Sequence, residues 1–187
     1  MAKPFSQSLQ QKHVAAARVF HDREAMVASF GKGGVVAEVG TETGRFAARI
    51  LELAKPRVLH LIDNDWNLFE RGPLSEPIAA GRVVLHNGLS TAKLAEFPDG
   101  TFDWIYIDAD HAYASVAADL AVAKRKISAA GLLVLNDYTR WTRKGYEYGV
   151  IPAVNELVAG EDWRVVALAL DRGGYNDIAI SRAGLGS

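Results

Sequence analysis

The sequence predicts an α/β fold: a doubly wound, mostly parallel sheet of seven strands with helices on both faces, an antiparallel hairpin at its C-terminal edge and a leading N-terminal helix. Three observations predict it. Short apolar runs bounded by glycine or acidic residues recur along the chain, and the segments between them carry apolar residues at helical spacing. The last two runs stand too close together for a helix to join them.

From Ser8 to Phe30, the residues Val14, Ala17, Phe20, Val27 and Phe30 recur mostly at intervals of three and four, which predicts the leading helix, interrupted near Asp22. Gly33 and Gly34 punctuate the chain before GVVAEVG, the first buried strand. A helix follows from Gly44 to Ala54, with Phe46, Ile50, Leu53 and Ala54 on one face and Pro56 to stop it. RVLHLID is the second strand, Asn67 to Ala80 a mixture of helix and loop, and RVVLHNG the third strand. FDWIYID is the fourth. The helix after it carries Val116, Leu120, Ala123 and Ile127 and is expected to end at Gly131, before LLVLNDY as the fifth strand. A short helix is expected around Pro152 to Ala159. WRVVALAL and YNDIAISR are separated only by Asp171 to Gly174, so they are expected to pair as an antiparallel hairpin. Residues 1–187 read as one domain, with a leading helix over 1–30 and a core over 33–187.

Composition narrows the function. Hydrophobic residues at 49% and charged residues at 23% argue against disorder and against a membrane protein, and no run of about 18 apolar residues occurs. A net charge of -1 provides no global field to draw in nucleic acid or an anionic membrane, so a small-molecule partner is expected. The absence of cysteine excludes disulfides, thiolate metal sites and a cysteine nucleophile. With no apolar leader in MAKPFSQSLQQKH, a cytoplasmic protein is expected.

In open parallel sheets ligands bind beyond the carboxyl ends of the strands, where the strand order reverses. The informative residues of this chain cluster at such ends. The first strand runs into Glu38, Gly40, Thr41 and Gly44, glycines that permit a sharp turn and a close helix start. That spacing alone fits a plain strand-to-helix turn as well as a nucleotide loop. Asp63 ends the second strand, where a nucleotide site needs an acid to accept ribose hydroxyls; a helix cap is its other reading. The third strand ends near Gly88 and Ser90, suited to a close pass by adenine and a hydrogen bond to it.

With these residues in hand a family resemblance is plain, over roughly Val35 to Arg182. VVAEVGTETGRFA resembles the first motif of class I S-adenosylmethionine-dependent methyltransferases and LHLID their second. PDGTFDWIYIDADHAYASVAADLAVAKRKISAAGLLVLNDY resembles the stretch from before their fourth strand through their fifth. It is similar to a subgroup with I-D-G-D-H-x-Y and H-D-Y at those two strand ends. The terminal hairpin also looks like theirs, and dinucleotide dehydrogenases lack it. The resemblance implies a Rossmann-like fold, S-adenosylmethionine as cofactor, and methyl transfer. Four departures stand out: Glu42 for the middle glycine of the first motif, Leu89 for an acid near the adenine, Ala109 for a glycine, and Asn136 for a histidine.

Asp108, Asp110 and His111 after the fourth strand, with Asn136 and Asp137 after the fifth, resemble the corresponding residues of catechol and macrolide-sugar O-methyltransferases. That likeness implies a divalent ion, Mg2+ or Ca2+, on Asp108, Asn136 and Asp137, and His111 as general base. Alternatively, Asp108 serves only near the methionyl amino group, and Asp110 and His111 only cap the next helix. The loop TRWTRKGYEYG supplies Arg140, Trp141, Arg143, Lys144, Tyr146 and Tyr148 for an acceptor pocket, or is a solvated surface loop. Closure of the site is left to the leading helix or to a second subunit in a homodimer. The reaction expected is O-methylation of a small hydroxylated molecule or sugar. Its competitors are metal-independent N- or carboxyl-methylation, NAD-dependent oxidoreduction, which the missing G-x-G-x-x-G disfavours, and a non-catalytic cofactor-binding module.

Overall fold

The structure, a computed structural model, describes residues 7–142 and 144–182; Arg143 of the basic loop lies outside the described residues. Eight strands form one sheet: β1 (Arg18–Phe20), β2 (Val35–Val39), β3 (Val58–Asp63), β4 (Val83–Asn87), β5 (Phe102–Ile107), β6 (Ile127–Leu135), β7 (Trp163–Ala169) and β8 (Asp177–Arg182). Their order is β1-β7-β8-β6-β5-β2-β3-β4, and every neighbouring pair is parallel except those made by β8, which runs antiparallel to β6 and β7. The chain starts its winding at β2, moves outward through β3 and β4, then returns to β5 on the other side. The strand order therefore reverses between β2 and β5, and a crevice opens there at their carboxyl ends.

The helices are α1 (Gln11–Val14), α2 (Arg23–Ala28), α3 (Arg45–Ala54), α4 (Ser75–Ala79), α5 (Ser90–Ala95), α6 (Tyr113–Lys126) and α7 (Val150–Gly160), with a 3-10 turn at Gly72–Leu74. Two hydrophobic clusters sandwich the sheet. Ala37, Val39, Ile105 and Ile107 face Leu120, Ala123 and Val154 of α6 and α7, whereas Val36, Trp104 and Tyr106 face Met26, Ala47 and Ile50 of α2 and α3. Both faces of β2 and β5 are buried, so these strands read as near-continuous apolar runs rather than alternating ones.

Three expectations are corrected. The leading helix from Ser8 to Phe30 is instead α1, β1 and α2, which brings the strands to eight rather than seven. Arg18–Phe20 pairs with Ala167–Ala169 of β7, satisfying backbone groups that an edge strand would leave open, and this long-range gain outweighs a local helical period. The predicted break at Asp22 is real: its carboxylate accepts the Ala25 amide at 2.7 Å and caps α2. The helix expected to run to Gly131 ends at Lys126, because β6 begins at Ile127 and Gly131 sits inside it, where a Cβ would press on Ile127 and the Phe102 and Asp103 carbonyls. Helix α5 was absent from the sequence reading; Ser90–Ala95 is too short to show a period.

Across β3 and β4, His60 Nδ1 and His86 Nε2 lie 2.9 Å apart among the rings of Phe97 and Phe102. Burial pushes His60 from an ordinary 6.5 down to about 4, and pushes His86 down too. Between those values the unfolded chain holds a proton at His60 that the folded chain lacks, so folding loses stability as pH falls through that window. Urea unfolding at pH 7 and pH 4.5 is expected to show a larger acid loss for the natural chain than for His60→Gln. Equal losses would refute the assignment.

Candidate active site

The crevice between β2 and β5 is a cleft of about 1030 Å³. Glu38, Gly40, Thr41 and Asp63 line one side of it, and Gly88, Ser90, Asp108 and His111 also reach it. Gly44 is set back from the lining as the N-cap of α3. The loop after β2 crosses hard against the end of β5: Gly40 has φ +84°, and a Cβ there would lie 1.9 Å from the Asp108 carbonyl oxygen. Glu42 also takes a left-handed conformation, with φ 48°. Glycine would adopt that conformation without the 1–2 kcal/mol, roughly, that a side chain costs, which is why a glycine is common at this point of the motif.

Asp63 holds this loop. The amides of Thr41 and Glu42 donate to its Oδ2 at 2.7 and 2.8 Å, and the Asp65 amide donates to Oδ1 at 2.9 Å. Of the roughly four acceptor sites of a carboxylate, little is left for a ligand hydroxyl. Glu38 is 2% exposed, and burial pushes its carboxyl up to about 8. Its Oε2 and the Thr41 hydroxyl are buried side by side at the cleft wall, and the hydroxyl offsets part of the effect of burial on the carboxyl. The Ser90 hydroxyl donates to Asp119 of α6 at 2.5 Å, while Leu89 beside it is 64% exposed on the cleft lip.

At the other end of the cleft, His111 Nε2 is buried with no hydrogen-bond partner, 3.6 Å from Asp108 Oδ1 and 3.6 Å from Asp137 Oδ2. Its ring stacks on Tyr148 at 4.7 Å. The Tyr148 hydroxyl bonds Asp137, and burial beside that carboxylate pushes the phenol up to about 12. Burial, with Asp137 nearby, likewise pushes Asp108 up to about 7. Among the described residues of the loop after β6, Tyr148 reaches this centre; Trp141 pairs with Glu147 in an isolated bridge, and both Trp141 and Tyr146 are exposed.

The three residues expected to hold a divalent ion are not gathered into one ligand set. The Asn136 amide donates to Asp177 Oδ1 at 3.0 Å and to the Tyr106 hydroxyl at 3.4 Å. Asp108 and Asp137 face an imidazole nitrogen instead of a shared space. Among the described residues no group of three or more His, Asp or Glu side chains is arranged to hold a metal. The donor set does not fit such an ion.

Residues 37–138 match the family described as a methyltransferase domain, more than half of the chain. The chain belongs to the methyltransferase-domain family. The matched segment contains the loop after β2, Asp63, Asp108 and His111, and the S-adenosylmethionine-dependent methyltransferase class read from the sequence is borne out. Among solved structures, a putative rRNA-methylase from Clostridium thermocellum is similar with a TM-score of 0.66 at 14% identity, over 87% of this chain and 94% of that one. The 1,6-didemethyltoxoflavin-N1-methyltransferase of Burkholderia thailandensis, solved with 1,6-didemethyltoxoflavin and S-adenosylhomocysteine, gives 0.63 at 17%, over 86% and 76%. A pyocyanin biosynthetic protein gives 0.62 at 19% over 81% of this chain, which spans about half, 51%, of that protein's length. At these identities the likeness is one of fold, and the Rossmann-like architecture with its C-terminal hairpin is borne out. No curated protein matches by sequence.

Three residues of this methyltransferase site escaped the sequence reading. Arg23, from α2, lines the main cleft, lies over the Phe46 ring at 4.2 Å and donates to the Tyr106 hydroxyl at 3.5 Å. The leading segment therefore contributes a residue to the cleft wall. Tyr106 and Asp177 are buried, with the Tyr106 hydroxyl donating to Asp177 Oδ2 at 2.5 Å. Nothing in their local spacing marks them; Tyr106 reads as core and Asp177 as the start of a hairpin strand. A second cavity of about 370 Å³ shares Arg23 with the main cleft and is lined by Asn136, Asp137, Tyr175 and Asp177.

Proposed function

We propose that this methyltransferase transfers the methyl group of S-adenosylmethionine to a hydroxyl of a small hydroxylated molecule or sugar, with His111 as general base. The observation that carries this reading is the His111 imidazole: the residue lines the cleft, and its buried Nε2 has no hydrogen-bond partner and stands 3.6 Å from each of two carboxylates. At that distance neither carboxylate forms a hydrogen bond with it, so no internal bond has to break before the ring takes the proton of an acceptor hydroxyl. Asp108 and Asp137 then stabilise the imidazolium that forms, as a buried carboxylate does for a catalytic histidine.

Bound S-adenosylmethionine supplies an electrophilic methyl group and a good leaving group, so the protein's task is alignment and proton removal. Glu38 and the Thr41 hydroxyl, both lining the cleft, suit the amino end of the methionyl group, and the exposed Leu89 beside Gly88 and Ser90 offers an apolar face to adenine. Asp63 supports the ribose end mainly by holding the Thr41 and Glu42 amides in place. The acceptor is proposed to enter from the second cavity, whose carboxylates can accept hydrogen bonds from hydroxyl groups. A net charge of -1 favours a small molecule over a nucleic acid. No step is routed through a metal.

One observation favours a second reading, transfer to an amine nitrogen. The second cavity is lined by Asp22, Glu24, Asp137, Asp171 and Asp177 against the single cation Arg23, an excess that attracts a protonated amine. Calorimetry with S-adenosylmethionine, S-adenosylhomocysteine and NAD, followed by labelled-methyl transfer to panels of polyhydroxylated and amine acceptors, separates these readings. Binding of both sulfur compounds but not NAD, and label on oxygen, are expected. Label on nitrogen alone would replace the first reading with the second, and binding of NAD alone would end both.

A further inference from the structure

We propose that Asp177, at the start of β8, is a positioning residue for methyl transfer, holding Asp137 against His111 through Asn136. The inference rests on the reading of His111 as general base.

Asp137 is one of three non-glycine residues with positive φ, at 56°, among the described residues. Such a conformation persists where its surroundings enforce it. Here β8 and the residue before it grip the turn on both sides of Asp137. On one side Asn136 Nδ2 donates to Asp177 Oδ1 at 3.0 Å; on the other the Tyr138 amide donates to the Asn176 carbonyl at 2.6 Å. Between these two bonds the Asp137 backbone has little freedom, and its carboxylate is delivered 3.6 Å from His111 Nε2.

Asp177 is itself held. Its second oxygen accepts the Tyr106 hydroxyl at 2.5 Å, and Arg23 reaches that hydroxyl from α2. The network thus runs from the leading segment through β5 to β8 and back to the end of β6, and none of its bonds is needed to close the sheet. It also accounts for the asparagine at position 136, where the resemblance leads one to expect histidine. The amide at 136 gives its N–H to Asp177, and the pair behaves as one unit.

The groups that face His111 are Asp108 from β5, Asp137 from β6 and Tyr148 from the following loop, with Arg23 from α2 at the cleft wall. Asp177 is not among them and acts through the placement of Asp137. Displacing Asp137 takes away a carboxylate beside the imidazole, so turnover should fall while cofactor binding, at the other end of the cleft, should not.

The test measures kcat and the KM for S-adenosylmethionine for Asp177→Asn, Asp137→Asn and the double variant, with thermal melting to verify folding. Asp177→Asn should lower kcat by about tenfold or more with that KM nearly unchanged. The double variant should be no worse than Asp137→Asn alone, since Asp177 acts through Asp137. The exchange Asn136→Asp with Asp177→Asn, which restores an amide–carboxylate pair, should recover most of kcat. An unchanged kcat in folded Asp177→Asn, a KM that rises as much as kcat falls, or losses that multiply in the double variant, would overturn the proposal. If His111→Ala is inactive while Asp177→Asn behaves as the natural chain, only this inference fails; if His111→Ala is fully active, the base reading itself fails.

Discussion

Replacing His111 with alanine is expected to lower kcat by a factor of about 10² to 10⁴, the range that general acid–base catalysis commonly supplies. Affinity for S-adenosylmethionine is expected to stay nearly the same. The reason is the division of the cleft: Glu38, the Gly40–Thr41 turn and Leu89 line it towards β2 and β4, whereas His111 lies at the ends of β5 and β6 with Asp108 and Asp137. Removing the imidazole takes away the proton acceptor without touching the loop held by Asp63. Its stack on Tyr148 is lost as well, so His111→Gln, which fills more of the space but is no base, is a useful companion. Steady-state kinetics with calorimetric cofactor affinities decide the matter. Full turnover in either variant would remove His111 from the chemistry, while loss of cofactor binding in both would make it a structural residue of the cleft.

Gly40→Ala is expected to be the most damaging small substitution in the fold, costing about 3 kcal/mol or more of stability and abolishing cofactor binding. Two effects add. A side chain at φ +84° costs roughly 1–2 kcal/mol by itself. The new Cβ would also sit 1.9 Å from the Asp108 carbonyl oxygen and 2.8 Å from the Ala109 Cα, both backbone atoms with no flexible end to yield. Relief requires the loop and the end of β5 to separate, which moves Asp108 and His111 away from the Thr41 side of the cleft. Gly100→Ala isolates the first effect, since Gly100 has φ +76° with nothing within 4 Å of its missing Cβ; it should cost only that roughly 1–2 kcal/mol. Thermal melts and calorimetry on the two variants test this, and equal melting temperatures for both would show that the crossing at Asp108 is not tight.

Much of the site was legible because of how parallel sheets work. Right-handed crossovers send every parallel strand the same way, so the residues that end apolar runs must share one edge of the sheet. Asp63, Asn87, Asp108 and Asn136 each end or follow such a run, Glu38 stands one residue before the end of another, and all stand at that edge. The loop from Glu38 to Gly44 and the short spacing from Asp108 to His111 are local features, and local features survive in sequence. What each side chain does once it arrives was less legible. Asp63 lines the cleft, and its spacing gave no sign that it also accepts two loop amides and the amide of its own turn. Ser90 lines the cleft too, and its hydroxyl bonds Asp119, in a helix well along the chain.

The sequence by itself determined the class of fold, the terminal hairpin, the family and the end of the sheet that carries the chemistry, because all of these follow from apolar period, glycine punctuation and motifs of neighbouring residues. Only the tertiary structure decided that Arg18–Phe20 is an eighth strand, that Arg23 from the leading segment enters the cleft, and that Asn136 bonds Asp177 rather than standing with Asp108 and Asp137. Those outcomes depend on which distant segments the completed sheet brings side by side. Spacing tells at which edge a side chain emerges; its partner there is chosen by strand order and by the need to satisfy each polar group that burial has taken from water.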